Sequence, residues 1–505
     1  MRVLFATAEA YPLAKTGGLA DVSRALPIAL ARHGVDVRLL LPCYPSALAK
    51  IERPHTVAKL GPMLGIADAT LIEGTFPETD LPVWLVNSPT LFQRDGNLYQ
   101  DESGRDWSDN ALRFAFLSHA GAKLAMQQTR VAWKPDVVHA NDWHTGLLPL
   151  LLALETALKP STVFTAHNMA FQGNFARETL PAIGVPQHCC DASAIEFYGQ
   201  ISFLKAGLRY GDRVTTVSPT YAKEILTPEF GCGLDGELRQ RNTDFCGILN
   251  GIDDDLWNPA TDSHLPQTYR ASSIAGKKTC KAELQRELGL PMNPETPLVG
   301  FVSRLTQQKM VDIILSALPW IVEQGAQLVI DGEGDPAIEA ALQEAQARYG
   351  NQVAVTIGYA EPLAHRLQAG SDILLAPARF EPCGLTQLYA LRYGTLPIVR
   401  RTGGLADTVV DATALTMVDR TATGFVFEDA NTTSLVSAIG RALALYREPL
   451  TWRRLQLNAM AQDFSWDTSA AKYISLYREL SGATPIAETA NDADQTLETE
   501  RLIAR

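Results

Sequence analysis

The sequence predicts an α/β protein built from two similar parallel-sheet domains, and three observations carry that reading. The hexapeptide Thr16-Gly17-Gly18-Leu19-Ala20-Asp21 recurs unchanged as Thr402-Gly403-Gly404-Leu405-Ala406-Asp407, each copy with a cation just ahead of it (Lys15, Arg401). Short β-branched apolar runs alternate with helix-like stretches throughout. Runs that are apolar on both faces and separated by helices read as buried parallel strands in βαβ units. The chain's 505 residues exceed one ordinary core, so two domains of roughly 200 to 250 residues are expected.

In the first half, strands are expected at Val3–Thr7, Asp36–Leu41, Val83–Asn87, Asp136–Ala140, Thr162–Ala166 and Arg213–Val217. In the second half they are expected at Leu298–Ser303, Gln327–Asp331, Val353–Ile357, Ile373–Pro377 and Leu396–Arg400. Helical periodicity marks Ala20–His33, Asp109–Gln127, Val311–Gln324 and Leu385–Tyr393. The stretch from Gly251 to Pro297 is rich in Asp, Pro, Ser and Lys, with one helical pattern at Lys277–Leu288. The domain change is therefore placed near Asp253–Pro259, giving domains over 1–252 and 253–464. A last helix over 465–481 carries Tyr473, Ile474, Leu476, Tyr477 and Leu480 on one apolar stripe. Residues 482–505 turn small and acidic, as a mobile tail does.

A net charge of −12 and a pI near 5.3 argue against nucleic-acid and anionic-membrane partners, because such partners need a broad basic surface. Seven cysteines without a C-x-x-C pair indicate neither a disulfide framework nor a structural zinc site. A soluble protein of a reducing cytoplasm fits best. The opening residues Met1–Phe5 form too short an apolar run for a signal peptide, and no run of about 18 apolar residues could span a membrane.

The chemistry is expected at strand ends, where open α/β sheets bind ligands. Lys15 with Gly17-Gly18 follows the first strand, and such a glycine loop opening a helix lets backbone N–H groups approach an anion. Arg304 and Lys309 follow Leu298–Val302. Cations there oppose the helix macrodipole unless an anion sits between them. Glu381-Pro382-Cys383-Gly384-Leu385-Thr386 follows the strand at Ile373–Pro377. The N–H groups of Gly384, Leu385 and Thr386 open a helix and could hold a phosphate, while Glu381 accepts from sugar hydroxyls. Cys383 is read as wall packing, although a nucleophile is the alternative. Asn141-Asp142-Trp143-His144 and His167-Asn168 end two consecutive first-half strands. Asp253-Asp254-Asp255 has the D-x-D spacing that binds a metal in some glycosyltransferases, but its place at the junction reads as a solvated hinge. No other cluster has metal-ligand spacing.

These blocks, together with Tyr198–Gly207 and Thr215–Ala222, resemble bacterial glycogen synthases and plant starch synthases from residue 1 to about Leu480. The resemblance implies a GT-B-type architecture: two Rossmann-like domains facing across a deep cleft, the last helix crossing back to the first. It implies retaining transfer of glucose from ADP-glucose to the non-reducing 4-hydroxyl of an α-1,4-glucan, without metal or cofactor. By matching positions, Lys15, Gly18, Arg304, Lys309, Leu385 and Thr386 would hold the pyrophosphate in a site that also takes in Gly17 and Asp21. Tyr359 would stack on adenine. His167, Asn250, Glu381, Cys383 and Gly384 would surround the donor glucose, with Asp142 nearer the acceptor and Asn168 among the substrate-binding residues. Three positions depart from the pattern: Met310 stands where Gly is usual, Asn141 replaces a common His, and Tyr389 holds the place of a second Glu. A transferase with another donor or acceptor, a phosphorylase, and a non-catalytic glucan-binding protein remain alternatives.

Overall fold

The computed structural model describes residues 1–482 except Asn242 and Tyr359. The first sheet contains β1 (Arg2–Ala6), β2 (Asp36–Pro42), β3 (Glu52–Lys59), β4 (Thr70–Thr75), β5 (Pro82–Asn87), β6 (Val137–Asn141) and β7 (Ser161–Ala166). After a small antiparallel sheet of β8 (Asn174–Ala176), β9 (Glu196–Phe197) and β10 (Gln200–Ser202), it is completed by β11 (Arg213–Thr216) and β12 (Phe245–Gly247). The second sheet contains β13 (Leu298–Val302), β14 (Gln327–Gly332), β15 (Val353–Ile357), β16 (Ile373–Ala376), β17 (Leu396–Arg400) and β18 (Phe425–Phe427).

The strand orders are β12-β11-β7-β6-β1-β2-β5-β4-β3 and β15-β14-β13-β16-β17-β18. All pairs are parallel except β3–β4 and β4–β5. Both sheets contain the Rossmann order, in which the strand sequence reverses beside the first strand and opens a crevice at the strand ends. Here the reversals fall between β1 and β6, and between β13 and β16. Every strand expected from the sequence is present to within one residue at each end. The parallel strands are apolar because helices cover both faces; β13 is buried along its whole length.

The strands that sequence pattern did not mark have other environments. β3 (ERPHTVAK) is the exposed sheet edge and contains Pro54, whereas β12 and β18 are three residues long. Edge position and brevity both erase the apolar signature.

The chain passes between the sheets twice, at neighbouring places. Ile252 N–H donates to the Phe464 carbonyl at 2.8 Å, and Ile252 pairs with Ser465. The Asp253 carboxylate accepts from Arg24 of the helix Gly18–Arg32 at 3.1 Å, and Asp255 accepts from Arg32 at 2.9 Å. Asp253 is thus tethered to the first half, whereas Asp255, with its side chain 82% exposed, is solvated.

The last helix, Trp466–Ser481, buries Trp466, Tyr473, Ile474, Leu476 and Tyr477 in the first-sheet core. Its Tyr477 hydroxyl bonds His139 Nδ1 of β6 at 2.7 Å, and Ser161 donates to the Leu480 carbonyl at 3.2 Å. The expected tail falls, after Gly482, outside the described residues. No helix among the described residues is long and apolar enough to cross a membrane.

Tyr477→Phe should leave His139 Nδ1 buried without a partner, at a cost of about 1–3 kcal/mol. A lower thermal midpoint is expected by differential scanning fluorimetry, and an unchanged midpoint would contradict the docking role of this bond.

Candidate active site

The second-sheet wall is made where β13 and β16 end. Leaving β13, the chain turns through 303–309; leaving β16, it turns through 378–385. The two turns are fastened together. Gln308 donates to the Phe380 carbonyl at 3.0 Å, Arg379 N–H donates to the Gln308 carbonyl at 2.8 Å, and the Arg379 guanidinium forks onto Asp312 at 2.7 and 3.0 Å. At their centre Lys309 Nζ and Glu381 Oε2 form a close ion pair, with side chains only 17% and 12% exposed.

Lys309 and Glu381 are therefore partners here. The sequence reading places one on the phosphate and the other on the sugar. Arg304 lies exposed at the end of β13 and makes no ion pair among the described residues.

Met310 takes the left-handed backbone itself (φ 53°, ψ 34°) with its side chain fully buried. The turn geometry that glycine favours is retained. Its strain of about 1–2 kcal/mol is offset by burial of the thioether chain.

The Glu381 turn is closed by Gln387, whose amide donates to the carbonyls of Cys383 (3.1 Å) and Gly384 (3.0 Å). Gly384 is required there: its φ is +75°, and a Cβ would lie 2.4 Å from Gln387 Oε1. Cys383 is buried, and burial pushes its thiol up to about 12. Both features fit wall packing better than a reactive nucleophile, which needs an accessible thiolate.

Beside Cys383, Asn250 is buried, and its Oδ1 has no partner among the described residues. Such a buried acceptor lacks the donor that buried polar atoms normally find. Leu385 and Thr386 begin the helix Thr386–Arg392. Leu385 also meets the other half: a Cβ on Gly18 would sit 3.6 Å from Leu385 Cδ1. Tyr389 on this helix stacks on Trp257 at 3.7 Å, and Trp257 stacks on His365 at 3.8 Å. Aromatic packing thus fills the place of the second Glu.

The first-sheet wall follows β1, β6 and β7. Lys15 Nζ is paired with Asp21 at 2.8 Å, and burial raises the Asp21 carboxyl. Thr16 N–H and hydroxyl and Gly17 N–H all donate to the Glu9 carboxylate, at 2.6, 2.6 and 3.1 Å. The Tyr99 hydroxyl donates to the same group. Two loop N–H groups, including that of the predicted site residue Gly17, are therefore held by protein, and Gly18 opens its helix with no side-chain cap. Sequence reading missed Glu9 because nothing local distinguishes an acidic residue that returns to its own loop.

Asp142 has φ +61° and ψ 178°, a region essentially restricted to glycine, so its carboxyl is held in place under backbone strain. Burial pushes that carboxyl up to about 7, against hydrogen bonds that include the His167 N–H at 3.3 Å. His167 Nε2 faces Asn141 Oδ1 at 3.1 Å, while Asn141 Nδ2 donates to the Ala6 carbonyl at 3.2 Å. Asn141, the departure from His, thereby orients the His167 ring. Burial lowers His167 to about 3, so it is neutral.

His144, by contrast, stacks between Trp143 (4.0 Å) and Tyr99 (4.7 Å). Asn168 closes its own turn through Ala170 N–H at 3.0 Å. Tyr359 lies outside the described residues. Among the described residues no group of three or more His, Cys, Asp and Glu could hold a metal ion.

The second Thr-Gly-Gly-Leu-Ala-Asp copy lies behind the Glu381 turn, with Gly404 N–H on the Glu381 carbonyl at 3.1 Å. Arg401, ahead of it, pairs with Glu428 at 2.6 Å.

A family profile described as starch synthase catalytic domain matches residues 2–240, and one for glycosyl transferases group 1 matches residues 296–444. A glycogen synthase of Paramagnetospirillum magneticum is 52% identical over 95% of this chain and 98% of its own. The chain belongs to the glycogen synthase family. Among solved structures of similar proteins is the catalytic domain of starch synthase IV from Arabidopsis thaliana bound to ADP and acarbose. It is 34% identical with a TM-score of 0.87, over 95% of this chain and 99% of that one. A sucrose-phosphate synthase from Thermosynechococcus elongatus shares the fold at 19% identity and a TM-score of 0.60, over 96% of this chain and 100% of that one. The architecture of this glycogen synthase family member is GT-B.

The Asp142 carboxyl, usually near 3.8, sits at about 7 in the folded protein. The folded state thus binds this proton more tightly than the unfolded one. Its contribution to stability is present at acid pH and is lost as pH rises from about 4 through about 7. Relative to wild type, Asp142→Asn should therefore gain stability between pH 5 and pH 8 in urea titrations; a pH-independent difference would contradict the shift.

Proposed function

We propose that this chain transfers glucose from ADP-glucose to the non-reducing 4-hydroxyl of an α-1,4-glucan such as glycogen, with retention at the anomeric carbon (EC 2.4.1.21). The observation that carries this reading is the Lys309–Glu381 pair. It bridges two strand-end turns at the switch point of one sheet, and the glycine loop of the other sheet lies opposite at Leu385. The ADP and acarbose bound by the starch synthase relative support an adenine nucleotide donor and a saccharide acceptor. The sucrose-phosphate synthase likeness speaks for the fold alone.

Lys15, Gly18, Arg304, Lys309 and the N–H groups of Leu385 and Thr386 bind the diphosphate in this reading, with Asp21 releasing Lys15. Asn250, His167, Asn168, Gly384 and Glu381 line the glucose, Cys383 walls it, Tyr359 contacts the adenine, and Asp142 lies toward the acceptor. As the C1–O bond to phosphate breaks, charge grows on the leaving diphosphate, and Arg304 and Lys309 stabilise it more than the ground state. The acceptor O4 bonds to C1 on the same face, and its proton passes to the departing phosphate oxygen. Glu381 favours the positive character on the sugar carbon. No step draws on a metal or cofactor. The unpaired cysteines and the net charge of −12 support a cytoplasmic enzyme with no nucleic-acid or membrane partner.

Turnover of labelled ADP-glucose on glycogen should exceed that of UDP-glucose. Lys309→Ala should lower kcat on the order of 10²- to 10³-fold, as deletion of a transition-state donor does. It should also weaken ADP binding. Lys309→Gln should recover little, since charge is what is lost. Wild-type kcat in Lys309→Ala would overturn the assignment.

A further inference from the structure

The second Thr-Gly-Gly-Leu-Ala-Asp loop has no place in the diphosphate site, yet it is held by the same chemistry as the first. In the first copy Glu9 takes the threonine hydroxyl and a glycine N–H. In the second, Glu224 does so from the opposite half. Sitting at the end of the helix Pro219–Glu224, just after β11, it accepts from Thr402 Oγ1 at 3.0 Å and from Gly403 N–H at 2.9 Å. The grip is reciprocal. Asp407, in the same loop, accepts the Thr220 N–H at 2.9 Å and hydroxyl at 2.6 Å.

This loop is also the floor of the Glu381 turn. Gly404 N–H donates to the carbonyls of Glu381 (3.1 Å) and Pro382 (3.2 Å). A Cβ at Gly403 would lie 1.8 Å from the Glu381 backbone carbonyl oxygen, and one at Gly404 would lie 2.2 Å from the Cys383 backbone carbonyl oxygen. There is no slack between loop and turn, so displacing one displaces the other. The second Glu224 oxygen is buried without a partner among the described residues. The contact therefore desolvates a carboxylate that the first half alone could leave in water.

We propose that Glu224 and Thr220 are positioning residues: by gripping the second loop from the first half, they set Glu381 at the height of the donor sugar only when the two halves are together. This rests on the reading of Glu381 as the carboxylate beside the reacting glucose.

The test uses the full chain, with kcat, KM for ADP-glucose and thermal midpoint measured for Glu224→Ala in wild-type and Glu381→Gln backgrounds. In the wild-type background kcat should fall on the order of 10- to 100-fold, as for an ångström-scale misplacement, with KM little changed. Glu224→Gln keeps the accepting oxygen and should restore kcat, which a merely electrostatic role would not allow. In the Glu381→Gln background Glu224→Ala should add nothing, because residues that act through one another are not additive. Thr220→Val, at a half-buried surface position, should lower kcat in the same direction and gives the result if Glu224→Ala does not fold. Full kcat in the folded variants, no rescue by Glu224→Gln, or losses that multiply with Glu381→Gln would overturn the proposal. Wild-type turnover in Glu381→Gln alone would overturn the active-site reading and the positioning role with it.

Discussion

The cleft of this protein is organised by carboxylates that occupy the places of anions. Glu381 sits on Lys309 and Asp21 on Lys15, while Glu9 takes the first glycine loop and Glu224 the second. A partly buried cation or an unpaired loop N–H is costly unless it meets an acceptor. Protein groups supply that acceptor here. In the proposed reading a diphosphate entering the cleft competes with these carboxylates, and on Lys309 it competes with the group proposed to act on the sugar.

That exchange has a mechanical setting. Both sheets reverse strand order where their site turns arise, and the two passages of the chain between them lie side by side at Ile252 and Ser465. The halves meet again at Gly18 against Leu385 and at Glu224 against Gly403. Contacts made at both ends of the interface tie the relative placement of the sheets to the geometry of the Glu381 turn. The last helix adds a third tie by docking Tyr477 on His139 of β6.

The parallel strands were legible in the sequence because burial on both faces leaves a continuous apolar run, as in β13 (LVGFV) and β17 (LPIVR). Site turns were legible where a strand of that kind ends in Gly, Lys, Arg or Glu. The exposed edge β3 and the three-residue β12 carry no such signature. What the residues could not reveal were long-range pairings. Glu224 is 178 positions from Thr402 and Lys309 is 72 from Glu381, and even Glu9, seven from Thr16, carries no local mark of its bond. Two identical hexapeptides thus came to differ in role through their partners alone: one opens beside the proposed donor site, whereas the other supports it from behind. The strain at Asp142 was equally hidden, since an aspartate in a glycine conformation is imposed by tertiary packing.

If Glu381 and the donor diphosphate compete for Lys309, removing the carboxylate charge must free the lysine. Isothermal titration of ADP into the full-length Glu381→Gln variant measures this directly. Binding tighter than wild type, by about tenfold for the release of one charge-assisted pair, is the predicted result. Equal or weaker ADP affinity in that variant would contradict the displacement of Glu381 from Lys309, and with it the account of how this cleft receives its donor.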